Sequence, residues 1–227
     1  CFMKTRLDYG KTGLEVELPD DALVSVVEPK HLAGVSDPSD AIRFALKSPI
    51  GVPPLNTFVQ SGCKIGIVFN DITRPTPDHI IVPVILEELK AAGADRDQIT
   101  LFNATGTHRA NTVEELRIML GNNIIDNYRI VQNDAYARDS HVQVGTTSSG
   151  NEVWIHKEFM ETNVRILTGF VEPHFFAGFS GGGKAVMPGL AQLETIMRNH
   201  NADNIDHPMA TWGITYGNPI WEEIHEA

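Results

Sequence analysis

Ile65-Gly66-Ile67-Val68-Phe69 is a short apolar run without a charge, followed by the polar stretch Asn70-Asp71-Ile72-Thr73-Arg74-Pro75-Thr76-Pro77 and then by a helical pattern over about residues 80–92. An uninterrupted apolar run bounded by turn-forming residues reads as a strand buried on both faces. The same succession recurs twice. Residues 99–104 pass through Thr105-Gly106-Thr107-His108-Arg109 into a helix near 113–120, and residues 164–170 pass through a glycine-rich loop into a helix near 190–199. Strand, polar loop and helix in repetition predict an α/β fold: a mostly parallel sheet with helices on both faces, Rossmann-like in plan. Working outward, residues 129–133, 141–144 and 152–155 suggest additional short strands. Residues 14–18 alternate apolar and charged, and residues 22–27 are apolar with Pro29 closing them, which predicts a short N-terminal β region. Asp37 followed by Pro38 offers a cap and a first-turn proline for a helix to about Leu46. Cys1 and Phe2, ahead of Met3, are set aside as extraneous to the fold.

The 227 residues carry 18 Lys and Arg against 29 Asp and Glu, a formal net charge of −11. That balance argues against general affinity for nucleic acid or anionic membranes, while leaving room for a local basic pocket. Two cysteines build neither a disulfide framework nor a cysteine-rich zinc site. No leader follows Met3 and no apolar run approaches the ~20 residues that span a bilayer, so a cytoplasmic location is the expectation. Trp221 to Ala227 reads as the opening turns of a helix with no stop signal, which predicts that the chain is part of a longer protein.

In open parallel sheets, ligands bind outside the carboxyl ends of the strands, so the three loops are where chemistry is expected. In the first, Asp71 and Thr73 accept or cap, and Arg74 offers a planar fork for a carboxylate or phosphate. Read alone, it is equally a capped loop with a surface ion pair. In the second, His108 follows a strand at the position of a general acid or base, or of a histidine that merely ties its loop. The third, residues 172–189, holds five glycines, three phenylalanines, one histidine and one lysine in 18 residues. That composition is costly for a simple connection and points to a ligand cradle with a dry aromatic wall. Gly178 to Lys184 has the glycine and lysine spacing of a phosphate-binding P-loop, yet Ala185 stands where a magnesium-holding hydroxyl is required and seven residues separate Phe170 from Gly178. Farther on, His200 ends a helical pattern, as a C-cap or as a metal donor. His31, His79, His141, His156, His207 and His225 lack comparable surroundings and read as structural or exposed. No clustered ligand spacing supports a metal held by side chains alone.

Together, Asp71–Pro77 (DITRPTP), Gly106–Arg109 (GTHR), Glu172–Gly189 (EPHFFAGFSGGGKAVMPG) and Arg198–His200 (RNH) resemble the nickel-dependent lactate racemase family in content and order. The glycine and phenylalanine segment is the specific one. The resemblance implies an isomerase interconverting D- and L-2-hydroxy acids, lactate first among them, or epimerising a larger hydroxy or sugar acid. It implies a nickel pincer cofactor, a pyridinium-3,5-bisthiocarboxylate mononucleotide, linked covalently through Lys184, with His200 as the protein ligand to nickel. Asp71, Ile72, Thr73 and Arg74 would bind cofactor and substrate, and His108 and His174 would be the two acid/base residues. Arg74, Arg109 and Lys184 would hold the anionic ligands against the overall charge. Phe175, Phe176 and Phe179 would exclude water. Residues 1–227 would then be the N-terminal cofactor-binding and catalytic domain, inactive without the C-terminal domain that closes the site. Gly183 and Ile72 depart from the family's pattern and bear on phosphate anchoring and substrate choice. A phosphate or nucleotide-binding module built on Gly178 to Lys184 is the alternative from a different functional class.

Overall fold

The computed structural model describes residues 2–28 and 30–227, arranged as two compact units, Cys1–Ser36 and Asp37–Ala227. In the first unit, β1 (Phe2–Leu7) pairs antiparallel with β2 (Leu14–Pro19), from Phe2 opposite Pro19 to Leu7 opposite Leu14. Phe2 therefore belongs to the ladder. The strand expected at residues 22–27 does not form: residues 23–28 have no regular structure. Among the described residues no strand pairs with them, and the side chains of Leu23 and Val27 are exposed. Pro29, expected to close that strand, lies outside the described residues.

The second unit opens with α1 (Pro38–Lys47), whose N-cap Asp37 accepts from the backbone N–H of Asp40 at 2.9 Å. There follow β3 (Ile65–Asn70), α2 (Asp78–Ala91), β4 (Ile99–Ala104), α3 (Val113–Leu120), α4 (Asn122–Asn127), β5 (Arg129–Gln132), β6 (His141–Thr146), β7 (Glu152–His156), α5 (Lys157–Met160) and β8 (Val164–Leu167). The central sheet has the order β5-β4-β3-β8 and is parallel throughout. Of the additional strands read from sequence, the first joins this sheet as an edge, while β6 and β7 form an antiparallel hairpin of their own. Beyond β8 come β9 (Pro173–His174) and β10 (Gly178–Phe179), a single 3-10 turn at Gly182–Ala185, then α6 (Leu193–Asn199), α7 (Ala202–Ile205) and α8 (Pro219–Glu226).

Alternation along the strands explains why they read as unbroken apolar runs. Ile65, Ile67 and Phe69 of β3 join Val82, Leu89 and Leu101 in one core beneath α2 and α3. Val68 and Phe102 point the other way, into a core with Ile155, Phe159, Leu190, Ile196 and Ile220. The sheet is thus covered on both faces, by helices on one and by the β6–β7 hairpin with α5, α6 and α8 on the other. Among the described residues, no helix is long and apolar enough to cross a membrane.

Candidate active site

β3 and β4 run in register to their carboxyl ends, with Asn70 opposite Ala104, so the loops that follow emerge side by side. β8 is shorter than the sequence suggests and ends at Leu167. The Thr168 N–H and hydroxyl both turn back to the Val68 carbonyl, at 3.0 and 2.8 Å, and release the chain into the long third loop. The three loops and α6 enclose a cleft of about 300 Å³ whose walls include Asp71, Arg74, His108, His174, Lys184 and His200. Six of the eight expected site residues therefore converge. Ile72 and Thr73 are not among the lining residues: Ile72 is exposed, and the Thr73 hydroxyl donates to Asp71 Oδ1 at 2.8 Å while accepting from Arg74 at 3.2 Å.

Asp71 is buried, and its Oδ2 lies 2.7 Å from Nδ1 of His108. This pair was not foreseen. Its two members stand 37 positions apart, and only the β3–β4 register brings them together. Arg109, by contrast, does not reach the cleft. Both of its terminal nitrogens engage the Glu115 carboxylate, at 2.8 and 2.6 Å, because Glu115 is already held at the start of α3 in a capping box with Thr112. Hydrogen bonds from Arg109 and from the Thr112 backbone hold the Glu115 carboxyl down at about 2. The expected trio of cations around the ligand is therefore a pair, Arg74 and Lys184.

His174 sits in β9, paired across to Gly178 of β10. Its ring stacks on Phe175 with centroids 4.8 Å apart and meets Phe176 edge-on at 4.5 Å. Its Nδ1 accepts from the backbone N–H groups of Ala177 and Phe176, at 3.2 and 3.4 Å. Burial, reinforced by Lys184, Arg74 and His200, pushes its pKa down to about 4. Lys184 stands on the 3-10 turn, with its N–H donated to the Gly181 carbonyl at 3.2 Å. Burial, then the neighbouring Arg74, lowers its amine to about 8. Among the described residues, no carboxylate lies within ion-pair distance of it.

His200 is the C-cap of α6, and its N–H donates to the Ile196 carbonyl at 2.9 Å. Phe176 meets its ring edge-on at 5.0 Å. Its Nδ1 is buried without a hydrogen-bond partner, and burial, with Lys184 nearby, pushes its pKa down to about 4. The preceding residue fixes it from behind. Asn199 Nδ2 donates at 2.6 Å to the buried Glu223 of α8, which also accepts from Thr147, Ser149 and Asn151 at the β6–β7 turn.

Much of the glycine in the third loop serves protein packing. A Cβ on Gly178, whose φ is +76°, would collide with the Ile214 carbonyl, and one on Gly189 would collide with the Ala185 carbonyl and Ala104. A Cβ on Gly183 would press on Ile224 of α8 at 3.1 Å. Gly106, Gly181 and Gly189 do line the cleft. The P-loop arrangement is not formed, since Lys184 lies on a four-residue 3-10 turn well beyond its strand.

Such a site defines a class: a parallel α/β domain that gathers an uncommonly weak lysine base, an arginine and three histidines at its strand ends, fitted for a small anionic ligand and proton movement. The chain belongs to the lactate racemase N-terminal domain family, whose defining pattern matches residues 9–213. It is 33% identical over 221 residues to the lactate racemase of Thermoanaerobacterium thermosaccharolyticum, covering 96% of this chain and 51% of that protein. It is 36% identical over 222 residues to the lactate racemase of Lactiplantibacillus plantarum, covering 96% and 52%. The solved lactate racemase apoprotein from T. thermosaccharolyticum superposes with a TM-score of 0.86 at 32% identity, over 98% of this chain and 52% of that one. A crystal structure of a Thermotoga maritima protein shares the fold, with a TM-score of 0.67 at 23% identity over 86% and 48%. The chain spans about half the length of the curated relatives it matches.

Proposed function

We propose that this chain is the N-terminal, cofactor-binding and catalytic half of a nickel-pincer racemase interconverting D- and L-2-hydroxy acids, with lactate the first candidate. The observation that carries the reading is Lys184: a half-buried amine lowered to about 8, with no carboxylate in ion-pair distance among the described residues, in one cleft with His108, His174 and His200. A lysine that sheds its proton near neutral pH is what covalent attachment through its amine requires.

The donor set fits the family's cofactor. Among the described residues, no three His, Cys, Asp or Glu side chains converge as a metal site, so His200 would be a single protein donor to a metal whose other ligands arrive with the cofactor. Burial keeps its ring neutral, as a ligand must be. Lys184 would form the covalent link, and the Asp71–Arg74 loop would engage phosphate and substrate carboxylate through Arg74. Held by these residues, the pincer group would supply the hydride-accepting chemistry that makes a planar 2-keto acid reachable from either enantiomer. The chain's own work is to move the hydroxyl proton, with His108 and His174 as the acid/base residues, and to exclude water with Phe176. Phe175 is 61% exposed. In the proposed whole protein, the half that this chain does not match would cover it and complete the substrate site.

Intact-mass spectrometry of full-length protein, made together with the cofactor-synthesis enzymes, tests the reading. A mass adduct that maps to Lys184 and disappears in Lys184→Ala is expected. A fully matured preparation without any adduct would overturn it.

A further inference from the structure

His108 and His174 reach the cleft with their ring nitrogens engaged in opposite ways. Nδ1 of His108 faces Oδ2 of Asp71 at 2.7 Å, and a carboxylate oxygen accepts, so in the neutral ring this nitrogen carries the proton and Nε2 the lone pair. Asp71 is itself fixed. It is buried, and its other oxygen accepts from Thr73 at 2.8 Å. At His174 the backbone N–H groups of Ala177 and Phe176 both aim at Nδ1, at 3.2 and 3.4 Å. An N–H donates, so here Nδ1 holds the lone pair and the proton of the neutral ring sits on Nε2. The β9–β10 hairpin, with Gly178 paired to His174, holds those two donors in place.

We infer that the two histidines are preset as unlike partners, His108 as a proton acceptor positioned by Asp71 and His174 as a hydrogen-bond donor, before any ligand enters the cleft. The inference rests on the racemase reading only for its consequence. A substrate hydroxyl at His108 can lose its proton: the O–H bond breaks, the proton forms a new bond to Nε2, and the resulting imidazolium keeps its Nδ1–H on Asp71. The electron pair left on oxygen forms the carbonyl as the hydrogen on C2 departs as hydride to the acceptor of the proposed reaction. At His174 the same step is closed in this conformation, because Nε2 already carries a proton. His174 becomes a base only if its ring turns about the Cβ–Cγ bond or the hairpin releases Nδ1. The two enantiomers therefore meet different work at the two histidines, and Asp71 is the positioning residue that makes His108 ready.

Long-range proton–nitrogen NMR correlation of the ¹⁵N-labelled chain near neutral pH reads both tautomers directly, without the cofactor. His108 is expected as the Nδ1-protonated form and His174 as the Nε2-protonated form. In Asp71→Asn, Oδ1 remains with Thr73 and the new amide N–H₂ faces His108, so His108 is expected to change to the Nε2-protonated form while His174 keeps its signals. In the loaded full-length enzyme, the same variant should lower kcat by about 10²–10⁴-fold, the share a general base supplies. Finding one shared tautomer in the unsubstituted chain, or an unchanged His108 in Asp71→Asn, would overturn the inference. The wild-type spectrum decides even if the variant misfolds. Absence of an adduct at Lys184 would refute the racemase reading and leave these tautomers untouched, so the two failures are distinguishable.

Discussion

A lysine moved out of water is destabilising in its charged form, and Lys184 makes that cost measurable. Its folded pKa, about 8, lies below the ordinary value of 10.5, so between those values the unfolded chain holds the proton and the folded chain does not. Stability then rises with pH across that window, and below pH 8 the fold bears the full cost, of order ~3 kcal/mol. Lys184→Met should therefore stabilise the chain in urea unfolding at pH 7, with the gain shrinking toward pH 10.5. A gain that does not depend on pH would count against a buried ammonium. Arg109 gives the opposite lesson. Arg109→Ala should leave anion binding in the cleft unchanged, whereas Arg74→Ala should weaken it, as titration with inorganic phosphate would show. The sequence placed both arginines just after strands, and strand position was legible. Which of them already had a carboxylate waiting was not, because the Glu115 capping box satisfies the Arg109 fork locally, while the Arg74 guanidinium bonds the Thr73 hydroxyl and, among the described residues, has no carboxylate in ion-pair distance.

Among the elements, those whose signal is local were readable. The helix at Val113–Leu120 was expected near those bounds from the strand, loop and helix succession, and Thr112 and Glu115 cap it reciprocally. Thr112→Ala should cost about 1 kcal/mol in equilibrium unfolding. The short β9–β10 ladder was not readable, since two residues a side carry no periodicity and its geometry depends on glycine. Gly178→Ala would force a Cβ onto the Ile214 carbonyl at a φ of +76°. A loss of about 1–3 kcal/mol is expected, with loss of the two backbone contacts that define the His174 tautomer. A variant as stable as the parent would show that residues 211–217 yield. Residues 22–27 mark the converse limit: an apolar run alone does not make a strand when nothing lies beside it to pair with.

For the whole molecule, the parallel sheet and its two covered faces followed from three apolar runs and the helices after them, whereas the β6–β7 layer over one face did not, because pairing partners are not encoded in either strand. The separation of the two cores is testable. Ile67 and Ile220 lie fully buried in different clusters, so Ile67→Val and Ile220→Val should each cost about 0.5–1.5 kcal/mol and add to within about 0.5 kcal/mol in the double variant. Strong coupling would show the sheet transmitting strain between faces. The placement of β8 against β3 has a consequence in time. Thr168 closes on Val68 across 100 residues of chain, a long-range pairing whose loop must be gathered before the contact repays it, which makes it a late and slow event in folding. Lys184 comes after that strand, and its weak basicity exists only once both walls have shut around it. On a nascent or half-folded chain the amine is an ordinary, protonated lysine. On the finished molecule the free amine is about two orders of magnitude more abundant at the same pH. In the proposed reaction, a group that bonds to this amine would meet far more of the free nucleophile on chains whose sheet is complete than on chains still folding.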